Sequence, residues 1–403
     1  MPLPCSAPLR VLAAPNAFKG SLPAPQAAGA IAAGAGRAPL PVRVRQLPMA
    51  DGGDGTAAVL AATLGGTAHT RTVRDAWGRP HRAAFIVLPD GSAVVELAAA
   101  CGLGPRRPDP AESLAASSFG AGELALAALA HGCHHVFLAL GGSASTDGGA
   151  GLLAALGARL ADASGQPPPD GGRGLAALAR VDLSGLPWRG AAPLSALVDV
   201  DNPLLGERGT ARAFAPQKGA DPPAQAVLEG GLAHWAGILE HAAGRSAQRV
   251  PGSGAAGGVG FALAALDVPL RPGGEEVAKL IGLDAALAEA DLVLTGEGAL
   301  DATTEGGKAP AVVARHAATH RVAVVGIAGQ LGPQWERLLG PPAGFAACLA
   351  LGSGPRPRRQ ALAATARDLE IAAETAVRVF AAGRASHTAA AAGSSPQGGE
   401  AAN

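Results

Sequence analysis

Three lysines in this chain touch a glycine, in Phe18-Lys19-Gly20, Gln217-Lys218-Gly219 and Gly307-Lys308. A Lys beside Gly on a loop can bring a point charge to a phosphate or carboxylate while the backbone stays close. Acids recur in pairs on short loops: Asp51 and Asp54 in ADGGDGT, Asp199 and Asp201 in DVDNP, Glu297 and Asp301 in TGEGALD. Such carboxylates suit a Mg2+ ion that keeps several waters and is completed by substrate phosphates, or they accept a proton from an attacking hydroxyl. A single Asp in such a place also serves as an N-cap or Asx-turn. Three loops of one design are harder to read that way, although Asp201 is the weakest member because it directly precedes Asn202-Pro203.

The densest run is Gly141–Gly151, GGSASTDGGAG, which includes Gly141, Gly142, Ser143 and Asp147. Small residues let backbone N–H groups approach an anion, and a following helix adds partial positive charge. No Gly-Lys-Ser/Thr follows, so this is not a Walker A loop. The spacing Gly252-x-Gly254-x-x-Gly257 matches a dinucleotide fingerprint, but GRSAQRVP before it is no strand, so it reads as a helix-start turn or a loop. Ser21 and Ser143 lack a Gly-x-Ser-x-Gly elbow, and His131, His134 and His135 have no metal-ligand spacing. Anion loops, loop lysines and paired acids together fit phosphoryl transfer, where catalysis is mostly positioning and charge neutralisation. The residues alone do not name the acceptor.

Strands that end in these loops must position them. The β-type runs are Leu9–Ala14, Val42–Leu47, His135–Leu140, Leu194–Val200, Leu292–Leu294, Val322–Ile327 and Ala346–Leu351. Strand, glycine-rich or acidic loop, then Ala/Leu-rich helix is the α/β pattern, with function at strand C-terminal ends. Ala84–Leu88 and Ala93–Leu97, joined by Pro89-Asp90-Gly91, read instead as an antiparallel hairpin and predict a second, mixed sheet. Gly165–Gly174 and Gly244–Gly254 read as linkers, and residues 386–403 as a disordered tail.

The chain has 403 residues, 48% of them hydrophobic and 16% charged, which predicts two domains with sizeable cores. Lys+Arg and Asp+Glu both number 32. That balance argues against a nucleic-acid binder or a polybasic membrane-surface protein, and the absence of Tyr removes common base-stacking platforms. Only Lys19, Lys218, Lys279 and Lys308 are lysines, so 32 − 4 leaves 28 arginines. Asn occurs only at Asn16, Asn202 and Asn403. Where Arg fills nearly every generic basic position, a surviving Lys is informative. Cys5, Cys101, Cys133 and Cys348 are scattered, which suits free thiols in a reducing compartment. No leader and no apolar run of the 18 or so residues a membrane helix needs is read, so the expectation is a cytoplasmic protein.

Taken together, APNAFKGSLPA, MADGGDGT, SFGAGELALAAL, LGGSASTDGGAGLLAALG, DVDNPLLGERGTARAFAPQKGA, GAAGGVGFAL, ADLVLTGEGALDATTEGGKAP and VAVVGIAG resemble the bacterial glycerate kinase family, in the family's order from about Leu9 to Phe380. The resemblance implies α/β architecture: a Rossmann-like three-layer domain (1–65 and 285–385) interrupted by a second, mixed-sheet α/β domain (66–284). It implies transfer of the ATP γ-phosphoryl group to D-glycerate with Mg2+, 2-phosphoglycerate being the favoured product. By that resemblance Lys19, Asp51, Asp54, Asp199 and Lys308 are candidate catalytic residues. Asn16, Ser21, Gly141, Gly142, Ser143, Asp147, Asn202, Lys218, Glu297 and Asp301 are candidates for holding substrate or nucleotide, with Asp199 and Asp301 as metal ligands. Three positions depart from the family pattern: Asn16-Ala17 stands for Asp-Ser, Asp54 for Glu, and Ala299 for a common Arg. Asn16 cannot act as a base. Two alternatives remain at this level: a kinase of another small hydroxy acid, and a non-catalytic small-molecule binding protein.

Overall fold

Strand β1 (Leu9–Ala13) is apolar and buried at four of its five positions, so both its faces must be covered. It pairs in parallel with β2 (Val42–Gln46), after which the chain leaves the sheet. There follow β3 (Thr67–Arg74), β4 (Pro80–Val87), β5 (Ala93–Glu96), β6 (Val136–Ala139), β7 (Arg159–Asp162), β8 (Leu178–Asp182), β9 (Leu194–Val198) and β10 (Leu270–Pro272). It then returns through β11 (Leu292–Leu300), β12 (Ala323–Leu331) and β13 (Ala347–Ala350). The computed structural model describes residues 7–188, 193–341, 344–352 and 354–393.

Two units result. The first comprises Met1–Pro48, Leu283–Glu305 and Val313–Asn403, the second Met49–Gly282 and Gly306–Val312. The first unit's sheet runs β13-β12-β11-β1-β2 with every pair parallel. Its order reverses between β1 and β11, which is the topological switch point where doubly wound sheets bind ligands. Helices Ala24–Ala35 and Arg358–Gly393 help cover it, with Ile31, Leu369 and Val377 in the core.

The second unit's sheet runs β10-β9-β6-β5-β4-β3. β10, β9, β6 and β5 are parallel, whereas β4 and β3 are added antiparallel. The expected hairpin is there as β4–β5, paired Ile86↔Val94 and Val87↔Ala93. A separate hairpin joins β7 to β8. Trp235, Phe85 and Phe261 fill the core, fully buried. Helix Thr56–Leu64 belongs to this unit. The α/β class, with one parallel and one mixed sheet, is the one expected.

Four sequence expectations change. TGEGALD is not a loop: β11 continues through it, pairing Thr295–Glu297 with Gly326–Ala328, so Glu297 is a strand residue. Its glycines mark strands in close contact rather than a turn, since a Cβ on Gly296 would lie 1.7 Å from Ile327 O. Gly165–Gly174 and Gly244–Gly254 are connections inside the second unit, not links between units. The stretch Pro110–Ala130 does reach membrane-helix length and hydropathy. It is nonetheless two helices, Pro110–Ala115 and Phe119–Ala130, and its most apolar window is 56% buried inside the protein. Of the expected tail, residues 386–393 continue helix Arg358–Gly393 and 394–403 lie outside the described residues. Cys101, Cys133 and Cys348 are free thiols, and Cys5 lies outside the described residues.

Candidate functional site

In the first unit the chain leaves β1 at the switch point, and Asn16 N donates to Gly296 O on β11 at 2.8 Å. Asn16 is 6% exposed, and its Oδ1 accepts Ala17 N at 2.7 Å. The turn at Phe18–Leu22 then presents Lys19 to solvent, its backbone lying against Gly298. Asn16 and Lys19 therefore lie just beyond the end of β1, beside the Gly296–Gly298 stretch of β11 that contains Glu297, and Asp301 follows directly after β11 ends. Asp301 Oδ1 accepts Thr303 N at 2.8 Å and Thr303 Oγ1 at 2.5 Å, which starts the short helical turn Ala302–Gly306. Ser21 Oγ is turned to Leu362 O at 2.7 Å.

The second unit builds its cluster at the C-terminal ends of its parallel strands. Gly141 ends the β6 connection, and its N–H reaches Gly52 O at 3.4 Å. The Asp51–Asp54 turn is laid against it so closely that a Cβ on Gly141 would fall 2.6 Å from Gly53 Cα. Only glycine permits that approach. A Cβ on Gly142 would be 3.8 Å from Asp54 Cβ. Asp51 is buried, with Oδ1 accepting Gly53 N at 3.2 Å, whereas Asp54 is exposed. Asp199 is exposed directly after β9. Asn202 Nδ2 holds Arg208 O at 2.6 Å, and Asp201 forms an exposed ion pair with Arg208 at 2.5 Å. Lys308 O accepts Ala311 N and Val312 N, which opens helix Ala309–Thr319.

One neighbour was absent from the sequence reading. Glu96, the last residue of β5, accepts Ala57 N at 2.7 Å and so caps the helix Thr56–Leu64 just behind Asp54. Burial holds its carboxyl above the usual range, and the charge of Asp54 adds to that. A lone Glu at the end of a strand followed by Leu97-Ala98-Ala99 gives no sequence signal.

The glycine loop is tied from inside. Asp147 is 1% exposed, and its carboxylate accepts Ser118 N at 2.7 Å, Ser118 Oγ at 2.9 Å, Gly149 N at 3.2 Å, Gly151 N at 3.3 Å and Ser117 Oγ at 3.3 Å. Burial raises its pKa and these donors oppose the rise. Gly257, at the Gly252-x-Gly254-x-x-Gly257 turn, accepts Gly148 N at 2.9 Å. That motif therefore packs against the loop at the start of helix Ala255–Ala265. Lys218 is also interior, at 4% exposure. The structure thus turns Asp147 and Lys218 inward, while Gly142, Asp54, Lys19 and Asp199 face solvent.

Among the described residues no three His, Cys, Asp or Glu side chains form a metal-holding group. A Mg2+ ion carried on substrate phosphates needs only one or two carboxylates. Asp199, exposed directly after β9, fits that requirement; Asp301 is half-buried, with its Oδ1 accepting Thr303 N and Thr303 Oγ1.

A parallel sheet with its loops at a switch point, and a glycine loop beside acidic and basic groups, define an α/β enzyme built for an anionic small molecule. The glycerate kinase family profile matches residues 11–381. The glycerate kinase of Bacillus subtilis (strain 168) is 40% identical over 326 residues, 80% of this chain and 85% of that protein. The glycerate 2-kinase of Escherichia coli (strain K12) is 39% identical over 327 residues, covering 80% and 86% respectively. The crystal structure of glycerate kinase 2 from Salmonella typhimurium LT2 superposes with a TM-score of 0.79 at 35% identity, covering 94% of this chain and all of that one. The chain belongs to the glycerate kinase family, and phosphorylation of glycerate is the activity that membership supports.

Proposed function

We propose that this enzyme transfers the γ-phosphoryl group of ATP to the 2-hydroxyl of D-glycerate, giving 2-phosphoglycerate and ADP in the cytoplasm. The observation that carries the reading is the Asp51–Asp54 turn laid directly on Gly141-Gly142. It puts a carboxylate that can accept a proton beside backbone N–H groups that can hold an anion. Asp54 is the exposed member and takes the proton from the glycerate hydroxyl. The hydroxyl oxygen forms its bond to the γ-phosphorus as the bond to the β,γ-bridging oxygen breaks, and ADP leaves with that electron pair. Lys19 and Lys308 neutralise phosphate or carboxylate charge. Gly142 and Ser143 hold an anion, Gly141 gives its N–H to Gly52 O and lets the Asp51–Asp54 turn lie close beside them, Asn16 and Asn202 orient polar groups by hydrogen bonding, and Asp51 fixes the turn. Glu297 and Asp301 line the first unit's switch point. Ser21 shapes the Lys19 turn. Mg2+ bound with the nucleotide would be held by Asp199 and would neutralise phosphate charge. Regiochemistry follows the Escherichia coli relative, named a glycerate 2-kinase.

The test uses enolase, which dehydrates 2-phosphoglycerate only. Purified protein with ATP, Mg2+ and D-glycerate should give ADP, and enolase alone should convert the product to an absorbing enol phosphate. Conversion that waits for added phosphoglycerate mutase would assign the 3-hydroxyl instead. Absence of glycerate-dependent ADP would remove the kinase reading altogether.

A further inference from the structure

We infer, building on that kinase reading, that Lys218 is a positioning residue that holds the Gly141–Gly149 loop in its anion-binding shape from the interior side. Lys218 rises from the short helical turn Pro216–Lys218, closed by Gly219. Its Nζ donates to Ser143 Oγ at 3.2 Å and to Ser145 O at 2.6 Å, two points that straddle Ala144. At 4% exposure it meets the loop rather than solvent. The hydroxyls of Ser145 and Thr146 are buried with no hydrogen-bond partner among the described residues. Lys218 is therefore the side-chain tie at the start of the loop, beside the backbone bonds from Leu103 N to Gly142 O and from Ala144 N to Cys101 O, as Asp147 is at its end.

An ammonium is costly to bury, and an apolar chain of equal length would fill the same space. What the charge adds is two directed hydrogen bonds and a positive field behind the exposed Gly142 end of the loop. The groups facing it are Asp147 on the loop and Cys101 at the end of helix Leu97–Cys101. Arg107, which donates to Pro216 O, and Asp109 lie on the segment packed against the turn. Asp147 is occupied by its own donors, and Cys101 keeps its proton because burial pushes its pKa up to about 12. Burial lowers Lys218 to about 8, with Cys101 and Asp147 pulling upward, so the tie is charged at neutral pH and weakens above it.

The test compares full-length wild type with Lys218→Met and Lys218→Arg, each checked for folding by circular dichroism. Lys218→Met should raise KM for ATP or for glycerate at least tenfold while kcat changes less than about threefold, the signature of lost uniform binding. In the wild type that KM should climb at least about threefold between roughly pH 7.5 and 9.5, and in Lys218→Arg it should stay flat. Amides of residues 141–149 should exchange faster with deuterium in Lys218→Met without any substrate, a readout that survives even if the kinase reading fails. Unchanged exchange together with unchanged KM would overturn the assignment, and so would a loss confined to kcat. Should Lys218→Met not fold, a flat wild-type KM across that pH range overturns it.

Discussion

Lys19 and Lys218 carry the same local signature, a lysine followed by glycine on a loop, yet the two units use it in opposite ways. Lys19 stands exposed on a turn fixed by backbone hydrogen bonds at the β1–β11 switch point. Lys218 is buried under the glycine loop, bonded to Ser143 and Ser145. The exposed lysine can meet a ligand and costs the fold little. The buried one has given up contact with solvent to shape a surface that other groups present. A charge next to glycine therefore marks proximity to a site without saying which side of the loop it works from.

The strongest way to break this comparison is to remove the second interior tie. Asp147→Ala leaves several buried donors without an acceptor and should cost at least about 3 kcal/mol, read as a lowered urea midpoint. A loss below about 1 kcal/mol would show that the loop does not depend on interior anchoring. Next comes the linkage of Lys218. Its pKa is about 8 in the fold against 10.5 as the ordinary value. Between those limits the unfolded chain binds the extra proton, so wild-type stability should rise with pH relative to Lys218→Met and level off above about pH 10.5. Binding should weaken over the same interval, opposite in sign. Lys19→Ala should keep the melting temperature and lower kcat/KM at least tenfold, about 1.4 kcal/mol; full activity would remove Lys19 from the site. The smallest effect belongs to Asp201→Ala, which loses an exposed ion pair with Arg208. Urea unfolding should move by less than about 0.5 kcal/mol.

Legibility followed apolar pattern. Val136–Ala139 and Leu194–Val198 are buried along their whole length, and their pattern survives without any neighbour, while Val42–Gln46, largely exposed, was readable from its Val-x-Val alternation. β3 was missed because Thr67–Arg74 is an edge strand buried only at Val73. β10 was missed because it has three residues and ends in Pro272. β7 and β8 form a short, largely exposed hairpin with little hydrophobic alternation. The loops that carry candidate chemistry were visible through unusual residue types in close spacing. Which side chains point outward was not, because Asp147 and Lys218 look in sequence like any ligand group. Glu96 escaped for the complementary reason: its partner, Ala57 N, is 39 residues away.

An inner strand of the first sheet sets an order of events. β1 needs β11 beside it, and Val11 is registered with Leu292. During synthesis, then, the strand that emerges first waits for nearly three hundred residues before its second neighbour exists, whereas β5, β6 and β9 find partners within about a hundred. Contacts of such separation form late because closing the intervening chain is entropically costly. The middle of the polypeptide should thus acquire structure while both ends remain unfinished, and pulse-labelled exchange during refolding should protect Phe137 and Leu138 before Val11 and Leu12. Earlier protection of β1 would show that its apolar residues are sheltered by something other than the sheet they end in.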